Sequence, residues 1–325
     1  MKKPLRFTPL CLLALSAGSL PVAATMPDRG PGVNDALVEK FLERNGDVFV
    51  DWPKPRAVLV ITGELDGYIE PCGCTGKENQ KGGLSRRQNF LRALTAAGWE
   101  TVPLDLGGQV KRFGRQTEAK FQSIADGLRG MRYAAVGFGP GDLRLPAEEL
   151  VAAVAAIGDE PTPYVSANVG LLGLDANITP RFRVVEAGGL KIGITTLLGD
   201  AEAAKIRNDD VEVVPAADAL AAVAAELAKA GCDHQVLLSW AGPEETKALA
   251  AKHPQFDIVV TSGGIDEPPR ELPTLPGGAW LVELGHKGMY AVAIGFFADA
   301  AVPVRSQRVP LDARWGEADD MISLL

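Results

Sequence analysis

Histidine is scarce in this chain of 325 residues, which holds only His234, His253 and His286. A metal centre built on several imidazoles therefore has few ligands to draw on. Cysteine is sparse too, with four residues, and no Cys-x-x-Cys-His stretch occurs, so the chain attaches no c-type haem of its own. Cys11 falls in an N-terminal apolar run, leaving Cys72, Cys74 and Cys232. Three cysteines do not make a disulfide scaffold. Basic residues are outnumbered, 33 Lys and Arg against 41 Asp and Glu, for a formal net charge of -8. That balance excludes nucleic acid and anionic membrane surfaces as natural partners. No apolar run is long enough to span a bilayer, and no low-complexity tract is present.

What is there begins with a targeting signal. Lys2, Lys3 and Arg6 precede the short apolar run Leu10–Gly18, and Val22-Ala23-Ala24 offers small residues for cleavage before Thr25. Residues 1–24 thus read as a Sec-type signal peptide, which predicts a periplasmic or secreted protein. Residues 25–55 read as a leader segment that packs on the domain, with a short amphipathic piece from Asn34 to Asn45. Residues 56–312 form that expected domain, and 313–325 a C-terminal tail.

From Arg56 the pattern alternates. Strands are expected at Ala57–Ile61, Thr101–Leu106, Tyr133–Gly137, Tyr164–Val169, Leu190–Leu198, His234–Trp240 and Phe256–Thr261. Helices are expected at Leu84–Ala97, Glu118–Arg129, Ala147–Ala156, Ala216–Ala230 and Glu244–Lys252. Beyond Pro273 only strands remain, at Ala279–Leu284, Met289–Phe297 and Val304–Val309. Alternation followed by a β tail indicates an α/β core with a mixed sheet.

The stretch Ile61-Thr-Gly-Glu-Leu-Asp-Gly-Tyr-Ile-Glu-Pro-Cys-Gly-Cys74 leaves the first strand, and Gly82-Gly83-Leu84-Ser85-Arg86-Arg87 leads into the first helix of the core. Open α/β sheets place ligands at such strand-to-helix loops. Later come Leu104-Asp-Leu-Gly-Gly108, Gly139-Pro-Gly-Asp142, Ser166-Ala-Asn-Val169, Leu237-Leu-Ser-Trp-Ala-Gly242, Asp257-Ile-Val-Val-Thr-Ser-Gly-Gly264 and Leu284-Gly-His-Lys-Gly288. In this order they make the chain, from about Arg56 to Val309, resemble the metallophosphoesterases of the 5'-nucleotidase and UDP-sugar hydrolase type. The resemblance implies the four-layer α/β/β/α sandwich of the metallo-dependent, calcineurin-like phosphatases.

That family clamps phosphate between two metal ions. Carried over motif by motif, its ligand positions fall on Glu64, Asp66, Gly108, Pro140, Gly141, Trp240, Gly263 and Ile265. Gly, Pro, Trp and Ile side chains ligate no metal. The resemblance therefore implies a hydrolase frame whose dinuclear centre has been lost.

The Cys-Gly-Cys is what such a frame does not need. Two thiols one residue apart can pinch a soft ion, Zn or Cu, or cycle between dithiol and disulfide, with Glu64, Asp66 and Glu70 nearby in sequence. An inert bridge, or thiols that simply pack the loop, is the plainer alternative. The form Glu-Pro-Cys-Gly-Cys…Gly-Gly-Leu-x-Arg-Arg resembles a bacterial branch of these proteins found beside or fused to multihaem cytochromes, which implies a cytochrome or other redox protein as partner. Gly82, Gly83 and Arg86, at a helix start, are candidates for holding an anion, although of Arg86 and Arg87 one is expected to face solvent and the other to pair with an acid. Cys232 is expected in the core, His286 at the surface, Asp142 as a loop support, and Trp240 in the space the metals vacate. Two further readings stay open: a residual phosphoesterase rebuilt from Glu64, Asp66, Asp105 and Asp142, and a binding or scaffold module without chemistry.

Overall fold

A computed structural model describes residues 35–73, 76–112, 114–299 and 301–325. The expected signal, the start of the leader and Cys74 lie outside the described residues. The chain runs through α1 (Asp35–Asn45), β1 (Ala57–Thr62), α2 (Leu84–Ala96), β2 (Thr101–Asp105), α3 (Arg115–Gly130), β3 (Ala135–Val136) and α4 (Ala147–Val154). It continues with β4 (Val169–Leu171), β5 (Arg183–Ala187), β6 (Leu190–Leu198), α5 (Asp200–Ala203), β7 (Val211–Val213), α6 (Ala216–Ala230), β8 (His234–Trp240) and α7 (Gly242–Lys252). The last part holds β9 (Ile258–Thr261), β10 (Trp280–Glu283), β11 (Tyr290–Phe296), β12 (Val304–Pro310) and α8 (Asp319–Leu324).

The strands form two five-stranded sheets, in the orders β12-β11-β1-β2-β3 and β10-β9-β8-β6-β5, and β4 pairs with β7 in a small third sheet. In the first sheet β1 runs parallel to β2 and antiparallel to β11, so the sheet is mixed. All six residues of β1 are buried, because each face of the strand feeds a different core. Val58 and Val60 pack under α2, α3 and α4 with Phe90, Phe121 and Leu150. Ala57, Leu59 and Ile61 meet Ile192, Ile194, Val236 and Leu238 of the second sheet. A strand covered on both sides has to be apolar at every position, hence the unbroken run Ala57–Ile61. The outer face of the second sheet, through Leu237 and Val259, is closed by Leu220, Val223 and Leu249 of α6 and α7. Helices, sheet, sheet and helices make the expected four layers.

The strand expected at Tyr164–Val169 is different. Tyr164 makes a single bridge with Val136, and regular pairing starts only at Val169. The Ser166 hydroxyl accepts the N–H of Val169 at 3.0 Å, a local bond that competes with a ladder. Both ends of the described chain dock on the helical face of the first sheet. Val38 and Phe41 of α1, then Phe49 and Trp52, are buried. In the tail Trp315 packs on Phe90 at 4.7 Å, and Arg314 pairs with Asp312 at 2.8 Å with both side chains fully buried. No helix among the described residues is long and apolar enough to cross a membrane.

Candidate functional site

The loops leaving β1 and β2 are tied together by backbone. The N–H groups of Glu64, Asp66 and Gly67 donate to the carbonyls of Gly107, Gly108 and Gln109 at 2.8 to 2.9 Å. To alternate in this way, Glu64 and Asp66 take left-handed backbone conformations, with φ of 50° and 56°. Non-glycine residues adopt these only when the surroundings hold them there. The Glu64 carboxylate accepts the N–H of Gly263 at 2.8 Å, which ties the first sheet's loop to the loop after β9. Burial pushes its pKa up to about 7; the Gly263 N–H opposes this, the charge of Asp66 adds to it, and Lys111 opposes it. Asp66 itself pairs with Lys111 at 3.2 Å.

Asp105 and Asp142 are engaged otherwise. Asp105 is fully buried and accepts from Arg87 at 3.0 Å, the Thr62 hydroxyl at 2.6 Å, the Gly107 N–H at 2.9 Å and the Gln109 amide at 2.9 Å. Asp142 accepts three backbone N–H groups, from Gly108 and Val110 at 2.9 Å and Gly139 at 2.8 Å. Burial still raises its pKa to about 7 against those three donors. Both carboxylates hold loops in place and have little acceptor capacity left.

Between these loops lies the indole of Trp240, at the end of β8. Gly108 has φ of 72°, and a Cβ built there would stand 2.2 Å from the Trp240 ring. The ring thus fills the volume that any side chain at position 108 would need. It packs against both the helical core and the core between the sheets. Gly141 is equally closed, with a Cβ falling 2.2 Å from the Val110 carbonyl oxygen. With Pro140, Gly263 and Ile265, these positions present no donor side chain to the site. Among the described residues, no group of three or more His, Cys, Asp and Glu comes together as a metal site.

Cys72 lies on the rim. Its N–H donates to the Lys81 carbonyl at 2.9 Å, closing the loop between them, and Lys287 Nζ stands 3.8 Å from its Sγ. The Lys287 ammonium also lies over the Tyr68 ring, 5.0 Å from its centroid. Sequence alone does not single out Lys287 as a site residue, since it is 215 positions away from Cys72.

The anion candidates at the start of α2, Gly82, Gly83 and Arg86, pack among neighbouring segments. The Gly82 N–H donates to Leu311, the Leu84 N–H to Ile69, and Arg86 binds the Gln80 carbonyl and Glu317. Arg86 and Arg87 are both buried, so neither faces solvent; the partner of Arg86 comes from the tail, and that of Arg87 from β2. Cys232 is half-buried against the core under α6, where burial raises its pKa. His286 is partly exposed, 3.5 Å from Asp266.

The fold has counterparts among solved structures. A 5'-nucleotidase precursor of Thermus thermophilus superposes with a TM-score of 0.66 at 19% identity, over 82% of this chain and 57% of that one. This is the 5'-nucleotidase-like metallophosphoesterase fold. The sulfate thiohydrolase SoxB of Thermus thermophilus gives a TM-score of 0.64 at 14% identity, covering 84% of this chain and 60% of its own. The calcineurin-like phosphoesterase YfkN of Bacillus subtilis gives 0.63 at 13%, over 82% of this chain and 95% of the other. This chain therefore spans only 57% and 60% of the length of the first two. No family model and no characterised protein sequence matches it.

Proposed function

We propose that this chain is a 5'-nucleotidase-like protein that does its work without the dinuclear centre, and that its Cys72/Cys74 loop binds a soft metal ion or performs thiol redox chemistry. The observation that carries the first half is Trp240: its ring stands where a side chain at position 108, the place of the family's bridging aspartate, would have to be. The residues present do not fit two metal ions. Of the carboxylates near the site, Asp105 and Asp142 are taken up by Arg87, Thr62, Gln109 and backbone N–H groups. Glu64 and Asp66 remain, one bound to Gly263 and the other to Lys111.

The second half is supported by the Lys287 ammonium 3.8 Å from the Cys72 sulfur. A cation beside a sulfur favours thiolate, the form that binds Zn or Cu and attacks disulfides. In the redox version Cys72 and Cys74 give up two protons and two electrons as one disulfide forms, and a partner such as a multihaem cytochrome takes the electrons.

The hydrolase half is tested by following phosphate release from nucleotides and sugar nucleotides with Mn²⁺ or Mg²⁺ added. Release should not exceed that of the Glu64→Ala variant. Metal-dependent release that Glu64→Ala abolishes would restore the phosphoesterase.

A further inference from the structure

Lys287, the neighbour of Cys72, also lines a cleft of about 370 Å³, within the range of roughly 300–1,000 Å³ typical of small-molecule sites. Lys111, Arg112, Lys120 and Lys287 line it, with Asp66 the sole carboxylate among the described lining residues and Tyr68 an aromatic wall. Four cations facing one acid are conspicuous on a chain whose formal net charge is -8, because the diffuse field of the whole molecule repels anions. The cations come from separate places: Lys111 and Arg112 follow β2, Lys120 sits on α3, and Lys287 lies between β10 and β11.

Three of these side chains have partners at the cleft. Lys111 is anchored on Asp66 at 3.2 Å, Lys120 donates to the Gly67 carbonyl at 3.3 Å, and Lys287 lies over Tyr68. Gln116 and Thr117, in the first turn of α3, also line the cleft, and no side chain among the described residues caps that turn. The positive end of a 16-residue helix is thereby added to the four cations.

We propose that this cleft binds a small oxyanion of the phosphate or sulfate type through ammonium and guanidinium groups, with no metal ion in the site. Arg112 supplies a planar fork that matches two oxygens of such a group, and the lysines supply point charges around it. The volume and the Tyr68 wall leave room for an organic group esterified to the oxyanion. This reading does not depend on the thiols.

The test is calorimetric titration of the full chain, in a buffer containing chelator, with inorganic phosphate, inorganic sulfate and phenyl phosphate in turn. At least one should bind saturably, and added salt should weaken it. The triple variant K111Q/R112Q/K120Q should bind about tenfold more weakly or worse. A charge-matched control, K205Q/K229Q/K247Q, removes exposed lysines from i,i+3 pairs elsewhere and should bind as the wild type does. Tighter binding of phenyl phosphate assigns an ester; equal binding of inorganic phosphate assigns the free oxyanion. The proposal is overturned if none of the three saturates, if binding vanishes with chelator, or if the two triple variants bind alike.

Discussion

Glu64 shows how one residue's environment becomes a property of the whole protein. Its carboxyl titrates near 7 in the folded chain, chiefly through burial, against about 4.3 when unfolded. Between those values the native state holds a proton that the unfolded state has released. The stability this contributes is complete below the unfolded pKa and is lost as pH rises through the folded one. Chemical denaturation from pH 4 to pH 8 should therefore show stability falling across about pH 4.5 to 7 more steeply in the wild type than in Glu64→Gln, which keeps an acceptor for Gly263. Parallel profiles would contradict the assignment. The Trp240–Gly108 contact makes a second prediction. Gly108→Ala should cost about 2–4 kcal/mol, from overpacking against the indole and a left-handed backbone. In a Trp240→Ala background the same change should cost only about 1–2 kcal/mol, the backbone term alone. Additive effects in this cycle would mean that the ring does not occupy the position-108 volume.

Among the elements, the two ends of the described chain close the helical layer over the first sheet. Trp315 lies against Phe90 of α2, and Asp320 of α8 meets Arg92 at 2.6 Å. The exposed ion pair contributes little, whereas Trp315, 3% exposed, belongs to the core. Trp315→Ala should cost about 3–5 kcal/mol in urea denaturation; a loss below about 1 kcal/mol would show the tail to be dispensable. The elements are readable from sequence in unequal measure. The run Ala57–Ile61 announces a strand buried on both faces, and the alanines from Ala216 announce α6. The segment from Tyr164 has the pattern of a full strand and is not one, because the Ser166 hydroxyl takes the Val169 N–H locally and the Asn168 amide donates to the Leu198 carbonyl on β6, which an apolar pattern does not reveal. The burial of both Arg86 and Arg87 is invisible for another reason. Glu317, the partner of Arg86, lies 231 positions along the chain, in a tail with no apolar pattern to place it.

At the scale of the whole molecule, the fold is legible because its landmarks fall in the order of the 5'-nucleotidase-like frame, and the structural neighbours confirm that frame. The candidate site is legible where it depends on residue type: the side chains of glycine, proline, tryptophan and isoleucine cannot ligate metal wherever the chain puts them. It is not legible where it depends on meeting across the chain. Nothing local links Lys287 to Cys72, or Lys111 and Lys120 to the Asp66 loop. The picture that results is a phosphoesterase frame with an indole at its centre, beside a rim that carries thiol and ammonium groups.

The most direct test of that picture is elemental metal analysis together with a thiol count on protein exported to an oxidising compartment, beside the Cys72→Ser/Cys74→Ser variant. The account predicts either about one Zn or Cu per chain, absent from the variant, or a two-electron dithiol–disulfide couple that the variant lacks. Metal bound equally by the wild type and the variant would return the chemistry to the carboxylates, and identical metal and redox behaviour in the two would contradict the role given to the thiols.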